Sequence, residues 1–138
     1  MDESKLKRRT KQFALRCMKL ADSLANRPSG WTVAKQLVDR ATAVGANYRA
    51  ACRARSQAEF VAKLGVVEEE ADESGFWLEL VMEGGLKSER LVRPLHKEAD
   101  ELTRILTRSV ITARSSIQNH KSKIQNRTSR KHQTDLPN

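Results

Sequence analysis

Apolar residues recur at alternating steps of three and four along most of the chain, which is the spacing of one face of an α-helix. The second of four such segments has its apolar positions at Ala34, Leu37, Ala41, Val44, Tyr48 and Ala51. The third is equally regular, at Phe60, Leu64, Val67, Ala71, Ser74, Leu78 and Val81. This periodicity predicts helices that each bury a single stripe.

The first and fourth segments carry the same pattern over fewer positions. The first carries Leu6, Phe13, Cys17, Leu20 and Leu24. The fourth carries Leu95, Ala99, Leu102, Leu106 and Ser109. We expect the fourth helix to begin between Arg90 and Pro94, because proline is tolerated in a first helical turn, and to end near Arg114.

The breaks between segments contain residues that end or begin helices. Residues 26–30 combine proline and glycine, and Gly84 is followed by a second glycine, so turns are expected at both places. Ser29 or Thr32 is predicted to cap the second helix. Ser56 and Glu59 have the spacing of a capping box at the start of the third helix.

Residues 115–138 hold only three aliphatic side chains among many polar and basic ones. Such a segment buries too little apolar surface to offset the entropy of ordering it, which predicts a flexible basic tail. The remaining residues, 1–114, are predicted to form one domain. Four long helices with short connections predict an all-α, antiparallel up-down-up-down four-helix bundle.

The charge of the chain indicates which partners it favours, because the 138 residues have a formal net charge of +9 and a sequence pI near 10.0. The excess lies in residues 1–12, 46–65 and 115–138, with net charges of +3, +3 and +4. Residues 66–83 hold seven acids and no base. Basic proteins of this kind favour anionic partners, and nucleic acid is the first candidate.

Two interpretations of the basic segments stay open: solvated helix faces with a solubilising tail, or a surface that binds phosphates. Arg49 and Arg53 are four residues apart and therefore share a helix face. The residues predicted to contact RNA or DNA are Lys5, Lys7, Arg8, Arg9, Arg40, Arg49, Arg53, Arg55, Lys121 and Lys123. A further possibility is that acids of the third helix meet arginines of the second across a subunit boundary.

The pattern gives no support to catalysis. His96 and Asp100 have a spacing that permits metal binding, but a lone pair of this kind is more often a surface ion pair. Glu70 and Glu73 lack the Glu-x-x-His units of a di-iron bundle on other helices. We therefore predict neither enzyme activity nor a cofactor or metal. No apolar run is long enough to span a membrane and no secretory signal is present, so a cytoplasmic location is predicted.

The segment RATAVGANYRAACRARSQAEFVAKLGVVEEEADESGFWLEL, residues 40–80, resembles a bacterial family. The family consists of four-helix-bundle proteins encoded within intervening sequences of 23S ribosomal RNA genes. The matching positions are Arg40, Val44-Gly45-Ala46-Asn47, Ser56, Phe60, Glu70-Ala71, Glu73 and Trp77-Leu78. The resemblance extends over roughly residues 10–114. One departure is Arg49-Ala50, where the family tends to carry Ala-Glu.

The resemblance implies a homopentameric ring and a distant kinship with accessory variability proteins of diversity-generating retroelements, which bind nucleic acid and a reverse transcriptase. Small residues around Gly45 are expected to let a neighbouring helix approach closely. The residues assigned to packing and assembly are Gly45, Ala46, Asn47, Glu70, Glu73 and Trp77. The predicted function is non-enzymatic binding of RNA or DNA through phosphates. The alternative is an oligomeric adaptor for a protein partner such as a reverse transcriptase.

Overall fold

The computed structural model describes residues 1–24 and 26–134, with side chains up to Ser129. This part of the chain is all α-helical and contains no strand. Its helices are α1 (Glu3–Asp22), α2 (Pro28–Cys52), α3 (Gln57–Glu83) and α4 (Glu89–Thr134). The all-α prediction is confirmed.

The four helices pack as a bundle around one apolar core. Each helix contacts two others: α1 packs on α2 and α4, and α3 packs on α2 and α4. Within the described residues, α1 does not contact α3 and α2 does not contact α4, so these pairs lie diagonally. The fully buried side chains include Phe13, Leu37, Leu64, Leu78, Leu102 and Leu106. The core therefore uses the stripes that the sequence periodicity predicts.

The helix starts follow local chemistry. Asp2 caps α1, since its Oδ1 accepts a hydrogen bond from the Lys5 amide at 2.8 Å. Ser56 caps α3, because its hydroxyl oxygen accepts from the Glu59 amide at 3.1 Å. The predicted cap of α2 at Ser29 or Thr32 is wrong, since the helix begins earlier at Pro28, where the lack of an N–H costs nothing.

The connection after α3 ends the helix through glycine. Gly84 is its C-cap residue, and Gly85 adopts a φ of 66°, a conformation open to glycine without strain. The α4 helix then begins at Glu89, one residue before the predicted window. Pro94 lies inside its second turn, with an exposed side chain. Proline has no N–H to donate to the carbonyl of Arg90 four residues earlier, and Arg90 is exposed, so water can reach that carbonyl instead.

Residues 115–134 continue α4 as helix, whereas the sequence analysis expected a flexible tail. No glycine or proline interrupts these residues, and Ile117 still packs against the core, so the helix propagates beyond the bundle. The side chains of 118–129 are exposed. Residues 135–138 of the predicted tail lie outside the described residues. The division into two domains stays a prediction.

Candidate nucleic-acid interface

One end of the bundle carries a cavity at which all four helices meet. Its volume is about 560 Å³. The lining includes Leu6 from the start of α1, Cys52 from the end of α2 and Phe60 from the start of α3. Arg108 and Ser116 of α4 complete it. The starts of α1 and α3 and the end of α2 therefore lie together, with the outgoing part of α4 beside them.

The end of α2 and the connection that follows it present three arginines to solvent. Arg49, Arg53 and Arg55 are exposed, and none of them forms an ion pair within the described residues. The inward positions of the same turns are held by Tyr48 and Ala51, which are buried. Helical periodicity thus separates the apolar residues from the guanidinium groups.

A capping arrangement fixes the chain between α2 and α3. Glu59 reaches back so that its Oε2 accepts a hydrogen bond from the Arg55 amide at 3.2 Å. The other oxygen of that carboxylate lies 3.7 Å from the ammonium group of Lys63. The backbone at Arg55 is therefore held two residues before Gln57, which lines the cavity, while the Arg55 side chain stays exposed.

The start of α1 supplies exposed bases to the same end. Lys5 and Arg8 are exposed and lie outside every ion pair of the described residues. Lys7 pairs with Glu3 at 2.9 Å, but both side chains remain exposed. Exposed pairs of this type are weak, so Lys7 can still exchange its partner.

Arg9, which was predicted to contact nucleic acid, contacts two carboxylates of α4 in the structure. Its Nε donates to Glu98 Oε2 at 2.9 Å and its Nη2 to Glu98 Oε1 at 2.6 Å. The same Nη2 lies 2.5 Å from Glu101 Oε2. The hydrogen bond to Glu98 raises the pKa of Arg9 further above its ordinary range. Arg9 is thus engaged in joining α1 to α4, since two carboxylates already neutralise its charge.

Arg40 also has a partner within its own chain. Its Nε lies 3.3 Å from a carboxylate oxygen of Glu73, with both side chains substantially exposed. Arg40 lies three turns before the end of α2, so it stands apart from the other predicted arginines. This ion pair lies within one subunit, whereas the pairing of helix-2 arginines with helix-3 acids was predicted across a subunit boundary.

Asn47 and Glu70 form the most buried polar contact between α2 and α3. The amide Nδ2 of Asn47 donates to both carboxylate oxygens of Glu70, at 2.8 and 3.0 Å. Only 8% of Glu70 is exposed, and this burial raises the pKa of its carboxyl group above the ordinary value. The amide of Asn47 partly opposes that rise, because it stabilises the ionised form.

The remaining packing residues occupy different environments. Gly45 lies where α2 approaches α1, and a Cβ there would sit 3.5 Å from the carbonyl oxygen of Thr10. Trp77 is half-buried, packs against the core and meets the Phe76 ring edge-on, with centroids 5.1 Å apart. Ala46, in contrast, is exposed on α2 and contributes little to the packing of its own subunit.

The helical extension of α4 carries the last predicted bases past this end of the bundle. Lys121 and Lys123 are exposed, and Lys121 follows Ser116 of the cavity by five residues, or about 7.5 Å of helix. No acid occurs in residues 115–129. The basic terminal segments and the arginines of α2 are thus brought to one end of the molecule.

Sequence reasoning missed two features of the cavity. Arg108 is exposed at its edge and adds a base from α4. The spacing of Arg104 and Arg108 is a signal that could have pointed to this face. Tyr48 and Cys52 also line the cavity, and burial raises the pKa of both groups. This burial favours the uncharged form of both groups.

The described residues bring together no group of three or more histidine, cysteine or carboxylate side chains suited to a metal ion. Both cysteines are free, and burial raises the pKa of Cys17 to about 12. In the same part of the chain, no helix combines the length and apolar character that crossing a membrane requires.

Comparison with known proteins finds a matching family and a solved structure with a similar fold. The model of a family described as 23S rRNA-intervening sequence protein matches residues 2–108. A crystal structure from Bacteroides thetaiotaomicron, of a protein of unknown function from the S23 ribosomal protein family, superposes with a TM-score of 0.74. The two sequences are 28% identical, and the match covers 80% of this chain and 98% of the other. No curated protein matches.

Proposed function

We propose that this chain, which belongs to the 23S rRNA-intervening sequence protein family, is a non-enzymatic, oligomeric helical bundle that binds RNA or DNA through phosphate groups. The observation that supports the proposal is the gathering of exposed bases at the cavity end of the bundle. Arg49, Arg53 and Arg55 lie there beside the start of α1 and the outgoing helix of α4.

The chemistry of this end favours contacts to the phosphate backbone over contacts to bases. Arginine forms paired hydrogen bonds with phosphate oxygens and stays charged at all relevant pH values. The nearby aromatic residues Tyr48 and Phe60 are buried or half-buried and contact the core, so they offer no open ring for a base to stack on. We therefore expect binding that depends strongly on salt and weakly on sequence.

The antiparallel topology is also part of this proposal. Glu79 of α3 lies 3.1 Å from His96 of α4, whereas Glu68, earlier in α3, accepts a hydrogen bond from Thr107, later in α4. Short connections between consecutive helices support the same arrangement for the other pairs. A homopentameric ring remains what the family resemblance implies, and a cytoplasmic location remains an expectation from the sequence.

The test is a titration of the full chain against a fluorescent RNA or DNA duplex at several salt concentrations. We compare the wild type with Arg49→Ala/Arg53→Ala. If both arginines contact phosphates, the substitutions weaken binding for every duplex sequence. They also reduce the magnitude of the log–log salt slope by about 2, one unit for each lost contact.

The matched control is Arg90→Ala/Lys97→Ala, which removes two exposed bases from the first turns of α4. Arg90 lies 18 residues before Arg108, about 27 Å along the helix, so this control should leave affinity and slope unchanged. A wild type that fails to bind at low salt, or an equal effect of both double variants, refutes the proposal.

The adaptor alternative gives a different result. If Arg49 and Arg53 serve assembly, Arg49→Glu/Arg53→Glu disrupts the oligomer in the absence of any nucleic acid. If they serve recognition, the same variant keeps the oligomeric mass of the wild type and loses binding.

A further inference from the structure

The outward faces of α1 and α3 are complementary in both charge and apolar character. On α1, Arg8, Lys11, Leu15 and Met18 follow helical steps of three and four and are exposed. Leu15 is 48% exposed and Met18 41%, although both are large apolar side chains. We call these four residues the α1 stripe.

The outward face of α3 also combines exposed apolar side chains with charges, here of the opposite sign and lying between the apolar residues. Val66, Glu69, Glu73 and Phe76 have the same spacing and are exposed, and we call them the α3 stripe. Val66 is 47% exposed and Phe76 50%. Asp72 and Glu83 extend the acidic surface at its edge and are also exposed.

The charges of both stripes are largely unused within the subunit. Arg8, Lys11, Glu69 and Asp72 take part in no ion pair of the described residues, and only Glu73 has a partner, Arg40. Large apolar groups bordered by unpaired charges of one sign are typical of a surface that another protein covers.

The diagonal placement of α1 and α3 decides what can cover these stripes. Because the two helices lie on opposite sides of the bundle, one subunit cannot bring its own stripes together. Two copies related by a twofold axis at either stripe would leave the charges of that stripe without partners of opposite sign. The α1 stripe of one copy facing the α3 stripe of the next sets opposite charges together. That contact joins two different surfaces of the chain, and it propagates head to tail.

We propose that the α1 stripe of one copy binds the α3 stripe of a second copy of this chain. The inference rests on the oligomeric part of the proposed function and names its contact surface. In a parallel register, Arg8 faces Glu69, Lys11 faces Asp72 and Leu15 packs against Phe76, because both series follow steps of three and four. Arg8 thus serves self-association rather than phosphate contact. The cavity end with Arg49 and Arg53 stays free.

Charge reversal tests this contact directly. The full chain, freed of nucleic acid by nuclease and high-salt washing, is examined by sedimentation velocity over a range of concentrations near 0.15 M salt. We expect wild type to sediment as an oligomer. Arg8→Glu/Lys11→Glu and Glu69→Lys/Asp72→Lys each place like charges together, so each double variant sediments as a monomer.

Restoration separates a specific contact from general damage. A chain with all four substitutions again opposes unlike charges and regains the oligomeric mass. The control Arg90→Glu/Lys97→Glu, which reverses exposed charges outside both stripes, keeps the wild-type mass. Circular dichroism checks that every variant is folded.

The outcomes that overturn the contact are a wild type that is monomeric throughout, a folded Arg8→Glu/Lys11→Glu variant with unchanged mass, or a folded chain with all four substitutions that stays monomeric. Nucleic-acid binding by the Arg49 and Arg53 variants is measured separately. Loss of the proposed contact and loss of the proposed binding function are therefore told apart.

Discussion

Two polar contacts between neighbouring helices differ in how far they are shielded from water. Between α2 and α3, Asn47 donates both of its hydrogen bonds to Glu70, which is 8% exposed. Between α1 and α4, Arg9 lies among the carboxylates of Glu98 and Glu101, and its side chain is 25% exposed. The first contact supplies hydrogen bonds to a buried carboxyl group. The second joins charged groups that water and salt still reach.

Asn47→Leu should have the largest effect on stability, because it leaves the buried Glu70 carboxyl group without its donor. We expect the free energy of unfolding to fall by about 1–3 kcal/mol, the cost of an unsatisfied buried polar group. Urea unfolding followed by circular dichroism measures it.

Two further variants test whether that loss is due to the missing donor. Gln36→Leu introduces the same side chain at another half-buried position of α2 and should change stability by less than about 0.5 kcal/mol. Asn47→Leu/Glu70→Leu removes both polar partners and should recover most of the loss. If the double substitution is as unstable as the single one, packing rather than hydrogen bonding explains the effect.

Arg9→Ala should have an intermediate effect, a loss of about 1 kcal/mol, since the ion pairs are only partly shielded from water. The difference from wild type should shrink in roughly 1 M salt, where charges are screened within about 3 Å. Arg104→Ala breaks an exposed pair with Asp100 and serves as the control, with an expected change below about 0.5 kcal/mol. An Arg9→Ala difference that does not respond to salt would contradict the surface character of this contact.

Glu70→Gln should have the smallest effect, and one that depends on pH. Burial raises the pKa of Glu70 in the folded state, so the folded protein holds this proton more strongly than the unfolded chain. The stability of wild type relative to Glu70→Gln therefore declines as the pH rises from the ordinary glutamate pKa through the raised one.

Urea unfolding of both proteins at a series of pH values measures this decline, with the exposed Glu69→Gln substitution as the baseline. A wild type that gains stability over Glu70→Gln as the pH rises would mean that the hydrogen bonds from Asn47 outweigh the burial of Glu70.

The sequence alone determined the all-α class, the buried stripes of α2 and α3 and the cap at Ser56, because each depends on spacing along a single helix. The cap of α2 was predicted too late in the chain. Residues 115–134 were expected to be flexible from their composition, but they form helix, because a preceding helix can propagate into them. The sequence pattern predicted Phe60 in the buried stripe of α3, whereas Val61 is the buried residue and Phe60 only half-buried.

The tertiary structure decided which basic residues remain available. Arg9 and Arg49 look alike in sequence, each in a basic helical segment, but Arg9 faces the acids of α4 and Arg49 faces solvent. The packing of four helices also brought the distant basic segments to one end and placed the acidic face of α3 diagonally opposite α1. Periodicity fixes which face of a helix is buried, whereas the partners of its exposed charges depend on which helices lie beside it.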